Sequence, residues 1–168
     1  TAMGEGTTAS GGASTAMGAS TIASGDISTA MGANTIASGI GSTAMGDNTT
    51  ASNFGSTAMG ANTTASGEYS TAMGFFTEAS GGNSTAMGYG TIASDRGSLV
   101  IGQYNLLGST VTNSATDFSL ENTAFVIGNG TNSANRSDAL TVLFDGTTTI
   151  AGDLNVNSDA RLKANIVS

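Results

Sequence analysis

Apolar and polar positions follow a fixed fourteen-residue rhythm along most of this chain, with Met3, Met17, Met31, Met45, Met59, Met73 and Met87 each inside Thr-Ala-Met-Gly. No residue is inserted or deleted between copies. The unit reads Ser-Thr-Ala-Met-Gly, two variable residues, Thr, a variable residue, Ala-Ser-Gly and two more variable residues. A phase held through Gly88 marks each copy as one structural unit stacked on the next, the signature of a solenoid. A flexible linker has a similar Gly/Ser/Thr/Ala composition, but a linker loses nothing when a residue is inserted and has no reason to keep a phase.

One copy accommodates two short strands and two turns, since a strand of four or five residues spans about 15 Å at roughly 3.3 Å each. A helix would need a 3.6-residue apolar period and would be weakened by so many glycines. The residue after each Met is Gly. The residue after Ala-Ser is Gly11, Gly25, Gly39, Asn53, Gly67, Gly81 or Asp95. These types tolerate positive φ, so both columns are predicted to be corners.

Alternation along a strand puts Thr43 and Met45 on one face and Ser42 with Ala44 on the other. A coil this short is too narrow for a long thioether, so the small column is expected inside and the Met column outside. With coils about 4.8 Å apart, the methionines form an apolar ridge roughly 30 Å long. Burying each is worth roughly 1.5–3 kcal/mol. The ridge is therefore read as the interface of a homo-oligomer, through Met3, Met17, Met31, Met45, Met59, Met73 and Met87. A monomeric roll with Met inside is the competing arrangement.

Composition narrows the classes. The 168 residues include 25 glycines and no Trp, and neither Leu nor Val occurs before Leu99, which leaves little for a conventional core. The formal charge is −8, and all four basic residues, Arg96, Arg136, Arg161 and Lys163, follow residue 95. Nucleic acid and anionic membranes are thus poor partners. There is no Cys for a disulfide or thiolate site. No apolar run approaches about 18 residues, so no membrane insertion is expected. The chain opens in mid-repeat at Thr1 and reads as a fragment.

Ser-Thr-Ala-Met-Gly followed by Thr-x-Ala-Ser-Gly resembles the SVAIG-type repeats in the heads of trimeric autotransporter adhesins, with Thr for Val and Met for Ile. The resemblance covers residues 1–102, ending in Ser98-Leu99-Val100-Ile101-Gly102, which looks like an eighth copy. It implies an all-β fold, a left-handed parallel β-roll with three chains side by side. It also implies an extracellular setting, on a cell surface or in a virion tail fibre, since phage fibres use similar rolls. At the other end, Ser158-Asp159-Ala160-Arg161-Leu162-Lys163-Ala164-Asn165-Ile166 resembles the opening of the intramolecular chaperone of endosialidase-type phage tailspikes. That family trimerises and then cleaves itself with a serine and a lysine, here Ser158 and Lys163. The lysine acts as a base only with its pKa lowered by burial in the rest of that domain. The plainer reading is an N-cap on a short helix.

The chain thus divides into repeats (1–102), an irregular connector (103–123), a β-rich neck (124–157) and the start of a chaperone (158–168). Ala124-Phe125-Val126-Ile127-Gly128 briefly restores the repeat pattern. Leu140–Phe144, Asp145-Gly146 and Thr147–Ile150 read as strand, two-residue turn and strand, paired within or between chains.

Apart from self-cleavage the chain is not expected to be an enzyme, because it has no His or Cys and no carboxylate pair at a useful spacing. Neither cofactor nor metal is expected. Glu5, Asp26, Asp47 and Glu68 fall twenty-one residues apart, on alternate corners, which serves solubility better than cation binding, and the calcium nonapeptide pattern is not met. Phe54, Tyr69, Phe75, Phe76 and Tyr89 are the roll's only aromatics and occupy variable corner positions. They are the ligand-binding candidates, for a sugar or a protein, or else they pack between chains. The expected function is a structural and adhesive segment of a trimeric fibre that holds a cell-surface glycan or protein receptor by multivalent contacts. The alternative is a monomeric ice-binding solenoid presenting the threonine column Thr7, Thr21, Thr35, Thr49, Thr63, Thr77 and Thr91.

Overall fold

The computed structural model describes residues 1–108 and 115–153. Each repeat supplies a long strand and then a short one, in chain order β1 (Ala2–Glu5), β2 (Thr8–Ala9), β3 (Thr15–Ala19), β4 (Ile22–Ala23), β5 (Thr29–Ala33), β6 (Ile36–Ala37), β7 (Thr43–Asp47), β8 (Thr50–Ala51), β9 (Thr57–Ala61), β10 (Thr64–Ala65), β11 (Thr71–Phe75), β12 (Glu78–Ala79), β13 (Thr85–Tyr89) and β14 (Ile92–Ala93). An eighth long strand, β15 (Leu99–Gln103), follows. Long strands stack on long and short on short, all parallel, giving a β-solenoid of about seven coils with two sheets. The register is set by the repeat itself: Met31 lies beside Met45 and Met45 beside Met59.

The interior is made of small side chains, as the alternation requires. Ala16, Ala30, Ala44, Ala58, Ala72 and Ala86 from the long strands face Ala23, Ala37, Ala51, Ala65, Ala79 and Ala93 from the short ones, every one 0 % exposed. The Ser of Ser-Thr-Ala-Met-Gly tightens one corner. Ser14, Ser56, Ser70 and Ser98 each donate to the carbonyl three residues back, at 2.7–2.8 Å. Thr43 and Met45 lie half-buried on the outer face, with Ser42 and Ala44 inside.

The corners differ from the sequence expectation in one respect. Gly46, after Met45, has φ +125° as predicted, but the column after Ala-Ser does not take positive φ. Gly39 is required there for another reason: a Cβ would stand 1.9 Å from the Asn53 carbonyl oxygen of the next coil. The left-handed residues are the second of each variable pair, such as Asn34 (φ +52°), Ile27 (φ +58°) and Tyr69 (φ +54°).

Asn105 stands in the column of the interior threonines and ends the short sheet. Its Oδ1 accepts from the Ile92 N–H at 2.8 Å and its Nδ2 donates to the Ile92 carbonyl at 2.9 Å, in the manner of one more strand. The chain then leaves the roll and returns where the buried Asp95 carboxylate accepts from the Thr123 N–H at 2.8 Å and from its hydroxyl. There β16 (Thr123–Asn129) joins β15 in parallel, Val100 against Val126 and Ile101 against Ile127. The repeat-like run at 124–128 is thus a further rung of the long sheet. β17 (Asp138–Leu143) and β18 (Thr148–Ile150) follow antiparallel within the same chain. The turn spans three residues, Phe144-Asp145-Gly146, and not the two expected: Val142 pairs with Thr148, the Leu143 N–H donates to the Thr147 carbonyl at 2.9 Å, and Gly146 takes φ +88°. Burial raises the carboxyl pKa of Asp138 at the head of β17, against the lowering pull of the Leu106 N–H at 2.8 Å and the Thr141 hydroxyl at 3.2 Å.

Candidate functional site

Three surfaces carry the candidate residues. The first is the outer face of the long sheet, where the methionines form the predicted ladder. Met3 is 58 % exposed and Met17 36 %, while Met31, Met45, Met59, Met73 and Met87 are half-buried by their neighbours in the stack. Beside them runs a half-buried threonine column, including Thr29, Thr43 and Thr57.

The second and third surfaces are the two corners, and the structure divides the five aromatic candidates between them. Phe54 and Tyr69 meet edge to face at 5.2 Å on one corner. Phe75, Phe76 and Tyr89 lie on the other, with Phe75 against Phe76 at 4.4 Å and stacked on Tyr89 at 5.4 Å. All five are exposed. Sequence reasoning missed the sixth member, Tyr104, which meets Tyr89 at 4.9 Å. The signal for it was available, since Tyr104 follows Gly90 by one period, in the column of Phe76. A hydrogen bond with Tyr89 raises the Tyr104 phenol above its ordinary pKa, outweighing the opposite pull of Arg136.

Some of these rings have a structural duty. A Cβ on Gly90 would lie 2.4 Å from the Tyr104 ring, and one on Gly55 2.8 Å from the Tyr69 ring, so each tyrosine covers the bare backbone of a glycine one coil away. Phe76 has Asn62 at the corresponding place. Arg136 adds a cation to the Tyr104 corner, 5.7 Å over the ring, its Nη1 donating to the Gly90 and Asn105 carbonyls at 3.0 Å each. Nothing in the repeat pattern points to Arg136, which arrives on the return of the chain after β16. A cleft of about 370 Å³ opens between Phe76, Glu78, Ile92, Tyr104, Ser133 and Arg136.

The threonine column of the ice-binding reading points the other way. Thr21, Thr35, Thr49, Thr63, Thr77 and Thr91 are fully buried, because alternation puts them on the same side as the interior Ala two residues on. A ladder facing inward cannot order surface water. The acids do alternate between corners, Glu5 and Asp47 on one and Asp26 and Glu68 on the other. Among the described residues no three acidic side chains converge where they could hold a metal ion, and no helix is long and apolar enough to cross a membrane. Ser158 and Lys163 lie outside the described residues.

A family model described as YadA head domain repeat, in two copies, matches at residues 1–21, 9–35, 23–49, 37–53, 51–77 and 79–105, which together exceed half the chain. These matches coincide with the coils of the solenoid and stop before residues 158–166, so the chaperone resemblance gains no support from them. No curated protein matches the chain.

Proposed function

The chain belongs to the YadA head-repeat family, and from that premise we propose that it is a structural and adhesive segment of an extracellular homotrimeric fibre that attaches to a receptor on another cell. The observation that carries this is the outward methionine ladder. Each Met is covered in part by its neighbours along the stack and keeps an apolar side open, which two further copies of the same ridge, turned about a shared axis, would close. The β16–β18 hairpin region would then be a neck extending the three rolls.

Trimerisation would also explain how a surface without a deep pocket holds a cell. Three copies of each weak corner site on a stiff rod act at high effective concentration, so modest contacts add to firm attachment. The repeat family supports a cell-surface adhesin over a virion fibre. Sedimentation equilibrium tests the assembly: the expected mass is about 49 kDa, three times the 16.3 kDa chain, and a folded monomer would overturn the reading.

A further inference from the structure

Resting on the receptor-binding reading above, we propose that the corner cleft between Phe76 and Arg136 binds a neutral pyranose sugar. The backbone gives the first argument. Phe76 holds φ +54°, where the preceding coils place Ser20, Asn34, Asn48 and Asn62. A left-handed conformation strains an ordinary residue, least Asn and Gly. Tyr104 repays its own left-handed backbone by covering Gly90, but Phe76 has no glycine beneath it and remains 52 % exposed. A large apolar ring kept at a strained, solvent-facing corner points to contact with something outside the chain.

Polar groups gather around that ring. Glu78 interrupts a column that is otherwise Thr or Ile, including Thr50, Thr64 and Ile92. Arg136 is not a freely solvated cation, since two carbonyls and the Tyr104 face fix its position. Ser133 closes the rim from a tight turn bridged between Asn132 and Asn135.

Aromatic faces flanked by a carboxylate, a hydroxyl and a guanidinium match a pyranose, which has an apolar C–H face and a rim of hydroxyls that donate and accept. A cleft of about 370 Å³ has room for one or two such rings. Glu78 and the net charge of −8 disfavour acidic sugars. A peptide would need an extended groove or a free sheet edge, whereas this cleft is short and bounded on one side by Ser133 of the 132–135 turn. Glu78 and Ile92 lie on the outer face of the short sheet, across the roll from the methionines, so trimers built on the Met ridge leave the cleft in solvent.

The test uses the whole chain. Methyl glycosides of glucose, galactose and N-acetylglucosamine, and their β-linked disaccharides, are titrated by saturation-transfer NMR and calorimetry. Phe76→Asn installs the residue found one coil earlier and relieves the left-handed strain, so the fold is kept; Glu78→Thr likewise copies Thr64. At least one glycoside should bind with a roughly millimolar Kd, and each variant should weaken it roughly tenfold or more. Ile27→Asn, at the left-handed position of the opposite corner, should leave it unchanged. The proposal is overturned if no glycoside binds, or if Phe76→Asn binds as the parent does. Cell adhesion measured in parallel separates the two readings. Adhesion without glycoside binding, undiminished in Phe76→Asn, leaves the fibre reading standing and points to a protein receptor; no adhesion by the parent trimer overturns the adhesive reading, while the glycoside titration alone decides the cleft.

Discussion

Replacing Met31, Met45 and Met59 together by Ser tests the assembly where its energy is concentrated. Full burial of a Met side chain is worth about 1.5–3 kcal/mol. These three are less exposed than Met17, at 36 %, so at least about two-thirds of that value is already gained within the chain. Up to about 0.5–1 kcal/mol per Met is left for a partner to realise. Three positions on three chains therefore remove at most about 5–9 kcal/mol from a trimer, or up to roughly 10³- to 10⁶-fold in its association constant. The same change costs each chain about 3–6 kcal/mol of stacking along the ladder, a sizeable part of an ordinary stability. Far-UV circular dichroism must therefore accompany sedimentation equilibrium between about 1 and 100 μM. The single Met45→Ser change keeps the chain folded more securely and still predicts about 10- to 100-fold weaker assembly. Met→Leu at the three positions conserves apolar volume and should remain trimeric. If the folded Ser variants keep the parent mass over the whole range, the Met ridge is not the interface and the reasoning fails.

Three further outcomes follow from individual contacts. Gly46→Ala should destabilise the roll by several kcal/mol in denaturant melts, because its Cβ would stand 1.9 Å from the Gly60 carbonyl oxygen. Gly41→Ala, at φ +66° with open space around it, should cost only about 1–2 kcal/mol; equal losses would refute the coil-contact argument. Asn105→Ala leaves the Ile92 N–H and carbonyl without the amide that pairs them, for a loss of about 2–4 kcal/mol and faster hydrogen exchange at Ile92. Asp138 has a raised folded pKa, so the folded state holds its proton longer than the unfolded chain does. Stability from this group is full below the unfolded value near 3.8 and declines as pH rises through the folded pKa. Melting Asp138→Asn beside the parent from pH 3 to 7 should show the variant gaining relative to the parent as pH rises, and a constant difference would refute the assignment.

The repeat alone determined the architecture. A fourteen-residue phase without insertions can be satisfied only if every coil places each letter at the same spot, so parallel pairing, in-register Met and the inward Ala follow from period and side-chain size. The hairpin around Asp145-Gly146 was legible for a similar reason, since its turn chemistry is local, although the loop is one residue longer than the sequence suggested. Tertiary structure decided what depends on neighbouring coils or on distant chain. Gly39 is small because the next coil's carbonyl approaches it, a contact its own φ does not disclose. Thr35, by contrast, shares a face with the interior Ala37 by alternation, so its inward place was also open to the sequence. Asn105 ending the short sheet, Asp95 anchoring Thr123 and Arg136 over Tyr104 each join residues outside any period. Periodicity encodes what every coil repeats, and the singular contacts that end the roll and shape the cleft arise only when the folded chain returns to it.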